Sequence, residues 1–157
     1  MTTITLTTFI HAPIERCFDL ARSIDLHLLS TKKTKEKVVA GRAAGLVMKD
    51  DILTWEAVHF GIRQQLVSKI TDVSPPYYFR DEMMKGAFKS MHHEHHFAVK
   101  DGVTVMTDIF CYKIPYGILG KLFNSLVLRS YMTAFLKERN IVIKNAAEGN
   151  DWINILK

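Results

Sequence analysis

The chain has 157 residues, 48% of them hydrophobic and 24% charged, with a net charge of +5. That length suits one domain around one core, which argues against a multi-domain machine or a large barrel enzyme, and the apolar fraction excludes a disordered or fibrous chain. The charge permits loose attraction to anionic surfaces. The basic residues are scattered apart from Lys32, Lys33, Lys35 and Lys37, however, with no aromatic-plus-basic signature of an RNA-binding module, so nucleic acid is not an expected partner.

Residues Thr3 to His11 are rich in Thr and Ile and meet Ala12-Pro13, which predicts a strand stopped by a proline that can occupy the first turn of a helix. Ile14, Cys17, Phe18 and Ala21 follow at helical spacing, and Ile24 to Leu29 make a second short helix before the polar Ser30-Thr31 break. Short β-branched and aromatic runs then alternate with turn residues: Lys37 to Ala40, Asp51 to Phe60, Ile62 to Val73, Tyr77 to Lys85, Lys89 to Lys100 and Val103 to Ile114. Strands in such a series predict an antiparallel meander. Its sharpest punctuation is Asp101-Gly102, a two-residue hairpin loop whose central residues must both adopt positive φ.

After Pro115 and Gly117 the pattern is helical to about Ala147 and ends before Gly149. Its apolar stripe changes side: Leu119, Leu122, Phe123 and Leu126 cluster on one face, and Leu128, Met132, Phe135, Val142 and Ile143 lie nearly opposite. One straight helix cannot bury both. The spacing predicts a break near Val127 to Ser130, or a first section whose apolar face meets a pocket entrance or a second subunit, which puts a homodimer among the candidate partners. Residues 150–157 form a C-terminal tail with apolar residues suited to docking on the body. Cys17 and Cys111 lack CxxC spacing, so neither a disulfide framework nor a zinc site is expected, and a reducing compartment fits. No signal-like segment or long apolar run occurs, which predicts a cytoplasmic protein without stable membrane insertion.

The order of these elements resembles the helix-grip fold of the START and polyketide-cyclase superfamily, usually called SRPBCC, over nearly the whole of residues 1–157. The similarity extends to local texture: Ile10-His11-Ala12-Pro13-Ile14-Glu15 with Cys17-Phe18, Asp51-Ile52-Leu53-Thr54-Trp55, Ser74-Pro75-Pro76 before Tyr78-Phe79-Arg80-Asp81, and Gly86-Ala87-Phe88. His93-Glu94-His95-His96-Phe97, Asp108, and Pro115-Tyr116-Gly117 with Leu119-Gly120 resemble an uncharacterised bacterial branch, from which Met91 departs where an aromatic is expected. The resemblance implies an α+β fold in a single domain, with about seven curved antiparallel strands around a long C-terminal helix and two short helices after strand one. It also implies a cavity between sheet and helix for an apolar or amphipathic molecule. It implies no one activity, so function is argued from the site.

The densest titratable cluster is His92 to His96. Strand alternation puts Met91, His93, His95, Phe97 and Val99 on one face, and the Asp101-Gly102 loop sets His95 opposite Asp108 and His93 opposite Phe110. This face, with Met106, Phe110 and Tyr112, is expected to look inward. Three uses of His93, His95 and Asp108 are compatible with the sequence: an imidazole and carboxylate satisfying one another, a polar or acid/base His95 oriented by Asp108, or two His and a carboxylate on a metal. The last lacks a third ligand of known geometry, and neither metal nor cofactor is expected. His92, Glu94 and His96 read as a solvated face, and His11, His27 and His59 stand alone. No nucleophile elbow, dinucleotide turn or phosphate loop is present, and Cys17 reads as a buried structural thiol.

Arg139 shares the helical stripe of Leu128, Met132, Phe135, Val142, Ile143 and Ala146, which aims a cation at the sheet. The residues expected to line a cavity are therefore Trp55, His93, His95, Phe97, Asp108, Phe110, Tyr112, Phe135 and Arg139. The first functional expectation is a carrier, sensor or binding protein for a small hydrophobic or amphipathic ligand. The alternatives are a cofactorless polyketide cyclase or dehydratase-like enzyme with His95 and Asp108 as catalytic residues, and a non-catalytic interaction module.

Overall fold

The structure, a computed structural model, describes residues 1–157. Seven strands form one antiparallel sheet in the order β1-β7-β6-β5-β4-β3-β2. They are β1 (Thr2–Ile10), β2 (Lys37–Ala40), β3 (Ile52–His59), β4 (Ile62–Ser74), β5 (Tyr78–Lys85), β6 (Ser90–Lys100) and β7 (Val103–Lys113). Each lies within one residue of the span expected from the sequence. Asp101 and Gly102 adopt φ of 51° and 77°, and the register they set pairs His95 with Asp108 and His93 with Phe110. Register shifts at Val67/Ser68 and Ile70/Asp72 on β4 are bulges of the kind that bend a strand.

Between β1 and β2 lie α1 (Ile14–Arg22), α2 (Ile24–Ser30) and a 3₁₀ turn, Lys32–Thr34. Ser23 caps α2, its Oγ accepting from the Leu26 N–H at 3.2 Å. The C-terminal helix runs through α3 (Gly117–Phe123), a π-helical turn (Asn124–Leu128) and α4 (Arg129–Glu148). The expected change of phase is thus made by the π turn, whose wider i→i+5 repeat rotates the face that follows and which overlaps the expected window at Val127 and Leu128. Asn124 pins it: its Oδ1 accepts from the Tyr112 hydroxyl at 2.6 Å and its Nδ2 donates to Thr2 Oγ1 at 3.0 Å. No helix is long and apolar enough to cross a membrane.

The inward face of the sheet is filled unequally. At one end Ile10, Cys17, Phe18, Leu20, Phe79, Phe97, Met106, Ile143, Ala146 and Ala147 belong to one packed cluster. Phe18 meets Phe79 and Phe97 edge-on at 5.8 and 5.6 Å. The C-terminal tail closes this end through α5 (Trp152–Ile155): Trp152, Ile155 and Leu156 pack on the cluster, and the Arg16 guanidinium lies 4.0 Å over the Trp152 ring. At the other end the same sheet and helix enclose a cavity.

Candidate functional site

The cavity has a volume of about 350 Å³ and lies between the inner faces of β3 to β7, α2, the first half of α4, and the α3 segment. Leu53, Met91, Phe110, Met132, Phe135 and Leu136 supply much of its apolar wall. Alternation along β6 delivers Met91, His93 and His95 to the cavity and then Phe97 to the packed cluster. The α4 stripe makes the same passage: Met132, Phe135 and Leu136 face the cavity, Arg139 stands at the boundary, and Ile143, Ala146 and Ala147 are packed.

A network of charged and polar side chains sits at that boundary. Asp108 is only 1% exposed and serves as its hub. Its Oδ1 lies 3.1 Å from His93 Nε2 and 3.5 Å from Arg139 Nη1, and its Oδ2 accepts from Asn140 Nδ2 at 2.7 Å. His95 Nδ1 comes within 2.8 Å of the same Oδ1, but this buried nitrogen makes no aligned hydrogen bond. His95 Nε2 faces Asp81 Oδ1 at 3.4 Å, and the His95 ring stacks on Phe79 with centroids 4.0 Å apart. Arg139 is also spent on structure: Nη2 donates to the carbonyl of Ala21 at 3.1 Å, capping the C-terminal turn of α1.

Burial alone would raise the carboxyl pKa of Asp108, but the hydrogen bond with His93 and the close His95 imidazole hold it well below the usual carboxylate range. Asp81 is likewise kept low, burial being outweighed by His95 and by the charges of His93, His95 and Arg139. The two partners of the His93–Asp108 bond point in opposite senses. Burial, followed by the neighbouring His95, outweighs Asp108 and takes His93 down from 6.5 to about 4. A neutral His93 that donates its Nε2–H to an ionised Asp108 satisfies both.

A second polar group faces the cavity from the opposite side. His27 Nε2 lies 3.1 Å from Glu36 Oε1, and His59 Nδ1 lies 2.7 Å from the Tyr131 hydroxyl. Burial would raise the Glu36 carboxyl, but His27 holds it low; burial lowers His59, and Glu36 opposes that more weakly. Trp55 stands beside this group, its Nε1–H donating to Ser68 Oγ at 3.1 Å and its ring 4.6 Å from that of His27.

Of the expected lining residues, Trp55, His93, His95, Phe110, Phe135 and Arg139 are at the cavity wall. Three are not. Phe97 lies one pleat past His95 and is buried against Phe18; Asp108 lies beneath the histidines; Tyr112 turns its hydroxyl to Asn124 and packs its ring on Phe88 and Phe110. The expected approach of His95 to Asp108 is present within a larger hub, with His93, His95, Arg139 and Asn140 around the carboxylate. His27 and His59 do not stand alone, because the turn that carries Glu36 and the face of α4 that carries Tyr131 come to them.

Sequence reasoning missed Asp81, Asn140 and Glu36. Asp81 alternates with Phe79 and pairs with His93 across β5 and β6, and Asn140 interrupts the buried spacing of Leu136, Ile143 and Ala147, so both left a periodic trace. Glu36 left none. Asp81, His93 and His95 offer ligand atoms within 4.8 Å of one another, a two-histidine, one-carboxylate set built on Asp81 where the sequence suggested Asp108. His93 is bonded to Asp108 and His95 faces Asp81, so these side chains form a polar wall held largely by one another.

No protein-family model matches the sequence, and no curated protein matches it either. Solved structures do resemble it. Protein TTHA0849 of Thermus thermophilus is 20% identical, covers 93% of this chain and 99% of its own, and superposes with a TM-score of 0.71. Major latex-like protein 151 of Panax ginseng is 13% identical over 94% of this chain and 98% of its own, with a TM-score of 0.69. Protein Ms6760 of Mycobacterium smegmatis is 19% identical over 90% and 88%, with a TM-score of 0.62. At such identities the likeness speaks for architecture. The curved seven-stranded sheet, the paired helices after β1 and the long C-terminal helix are those of the helix-grip fold that these structures share.

Proposed function

We propose that the protein binds a small hydrophobic or amphipathic molecule in this cavity, as a carrier, sensor or binding protein. The observation that carries the reading is the hollow itself: about 350 Å³ of mainly apolar space, at a place where the same sheet and helix are densely packed a few residues further on. Apolar surface would supply the affinity. Asp81, His93, His95 and Arg139 at one wall, and Glu36, His27 and His59 at another, would orient polar groups of the ligand. Native mass spectrometry of freshly purified protein, before and after organic extraction, tests this. A bound small molecule that extraction removes, or stoichiometric uptake of the neutral probe N-phenyl-1-naphthylamine by the extracted protein, is the expected result. A protein with neither adduct nor uptake would overturn it.

One observation favours a second reading. His95 lies in the cavity wall with both ring nitrogens facing carboxylate oxygens, at 2.8 and 3.4 Å, which is a workable setting for a general acid or base in a cofactorless cyclase or dehydratase-like enzyme. Turnover of the extracted ligand that is lost in His95→Gln, while binding is retained, would move the protein from carrier to enzyme.

A further inference from the structure

We propose that the mouth of the cavity is a docking surface for an anionic lipid bilayer. The proposal concerns the outside of the molecule and does not depend on what the cavity holds. Gly120 is the buried residue of α3 and lines the cavity, and a Cβ there would meet the carbonyl of Pro115 in the turn just before the helix. The opposite side of α3 therefore points straight out, and it carries Ile118, which is 85% exposed, with Leu119 and Leu122 beside it. The π turn adds exposed Leu126 and Val127. Scattered exposed apolar residues are ordinary on a protein surface, whereas a contiguous patch marks an interaction site.

Two aromatic residues extend the patch around the mouth. Phe60, in the β3–β4 hairpin, and Tyr116, at the start of α3, are both exposed, both at the cavity rim, and both held at positive φ, 52° and 70°. A bulky residue in the left-handed region is strained, and such strain clusters at functional sites. Here it sets two aromatic residues at one rim, Tyr116 standing out into solvent and Phe60 half exposed with its ring against Phe123 and Tyr131. Aromatic side chains of this kind favour the headgroup level of a bilayer.

Charge selects the partner. From Ile109 to Lys137 there is no Asp or Glu, and the cations Lys113, Lys121, Arg129 and Lys137 are all exposed. An apolar helical face flanked only by cations is the make-up of a helix that lies in the plane of an anionic membrane surface. The same composition argues against a second copy of this chain. A two-fold contact would press Lys121 and Arg129 on their own equivalents, with no carboxylate in the segment to offset them. Since the rim of this surface is the cavity mouth, docking would open the cavity onto the bilayer.

The test is co-sedimentation of the full chain with vesicles of phosphatidylcholine alone and of equal parts phosphatidylcholine and phosphatidylglycerol. The proposal expects partition about tenfold or more stronger onto the anionic vesicles, weakened by added salt. Two double variants, Leu119→Glu with Leu122→Glu and Lys121→Glu with Arg129→Glu, alter exposed side chains that are not on the cavity wall. Each should lower the partition about tenfold or more while circular dichroism and N-phenyl-1-naphthylamine uptake stay unchanged. Equal or absent partition onto the two vesicle types, or unchanged partition in the charge variant, overturns the proposal. A dimer seen by light scattering, abolished by the Leu119→Glu, Leu122→Glu pair and indifferent to vesicles, also overturns it and gives the face to a second copy. Probe uptake separates these outcomes from a failure of the cavity reading.

Discussion

The two ends of the concave face of the sheet are built from the same strands and the same helix, yet one is packed and the other is hollow. On β6 the passage occurs between His95 and Phe97, and on α4 between Leu136 and Ile143. Asp108, His95, Arg139 and Asn140 stand at that boundary. The arrangement teaches that the charged network partitions the interior. It is satisfied from the packed side by Asp108, Asn140 and the Ala21 carbonyl, and it presents His93, His95 and Asp81 to the hollow side.

If the network is the partition, its hub should be the most costly position to lose. Asp108→Ala would leave the buried Arg139 guanidinium facing two imidazoles without their shared acceptor, and about 3–5 kcal/mol of stability should go with it. Urea unfolding measures this; a loss under about 1 kcal/mol would mean that the network does not hold the two ends together. The packed and hollow ends can then be compared directly at the helix. Ile143→Ala empties a packed site and should cost about 4 kcal/mol, whereas Leu136→Ala enlarges an existing void and should cost nearer 2 kcal/mol while admitting bulkier probes. Equal costs would erase the distinction.

A smaller effect concerns pH. The pKa of His93 is depressed on folding from 6.5 to about 4, so the unfolded chain binds more protons between those values. The stability that a neutral His93 contributes is therefore complete above pH 6.5 and is lost as pH falls toward about 4. The loss should be roughly 3 kcal/mol, and unfolding curves of His93→Asn should lack it. An unchanged pH slope in that variant would contradict the assignment. Smallest of all is the exposed face of α3: Leu122→Glu should change stability by no more than about 0.5 kcal/mol. A larger loss would show that this face packs against something within the molecule.

The fold was legible because local chemistry dictates it. Asp101-Gly102 permits only a tight hairpin, and from that loop the pairing of His95 with Asp108 follows by counting. The change of face along the C-terminal helix was also visible, although its device, a π turn pinned by Asn124, was not, because Asn124 is held by Tyr112 and Thr2 from distant strands. The site was legible in part. His93, His95 and Arg139 sit on regular faces whose period points inward. Glu36 lies just after a 3₁₀ turn, where no period operates, and its meeting with His27 depends on how that turn folds against α2. Phe97 and Tyr112 were expected at the cavity because alternation assigns a face of the sheet, and a face has both a packed and a hollow end.

The central claim is that the hollow end, rather than the apolar surface at its mouth, holds the ligand. The most direct measurement is nuclear Overhauser contact between N-phenyl-1-naphthylamine and methyl groups of the extracted protein. The account predicts contacts to Leu53, Met91 and Leu136, which line the cavity. Contacts confined to Leu119, Leu122 and Leu126, on the exposed face of the α3 segment and the π turn, would contradict it.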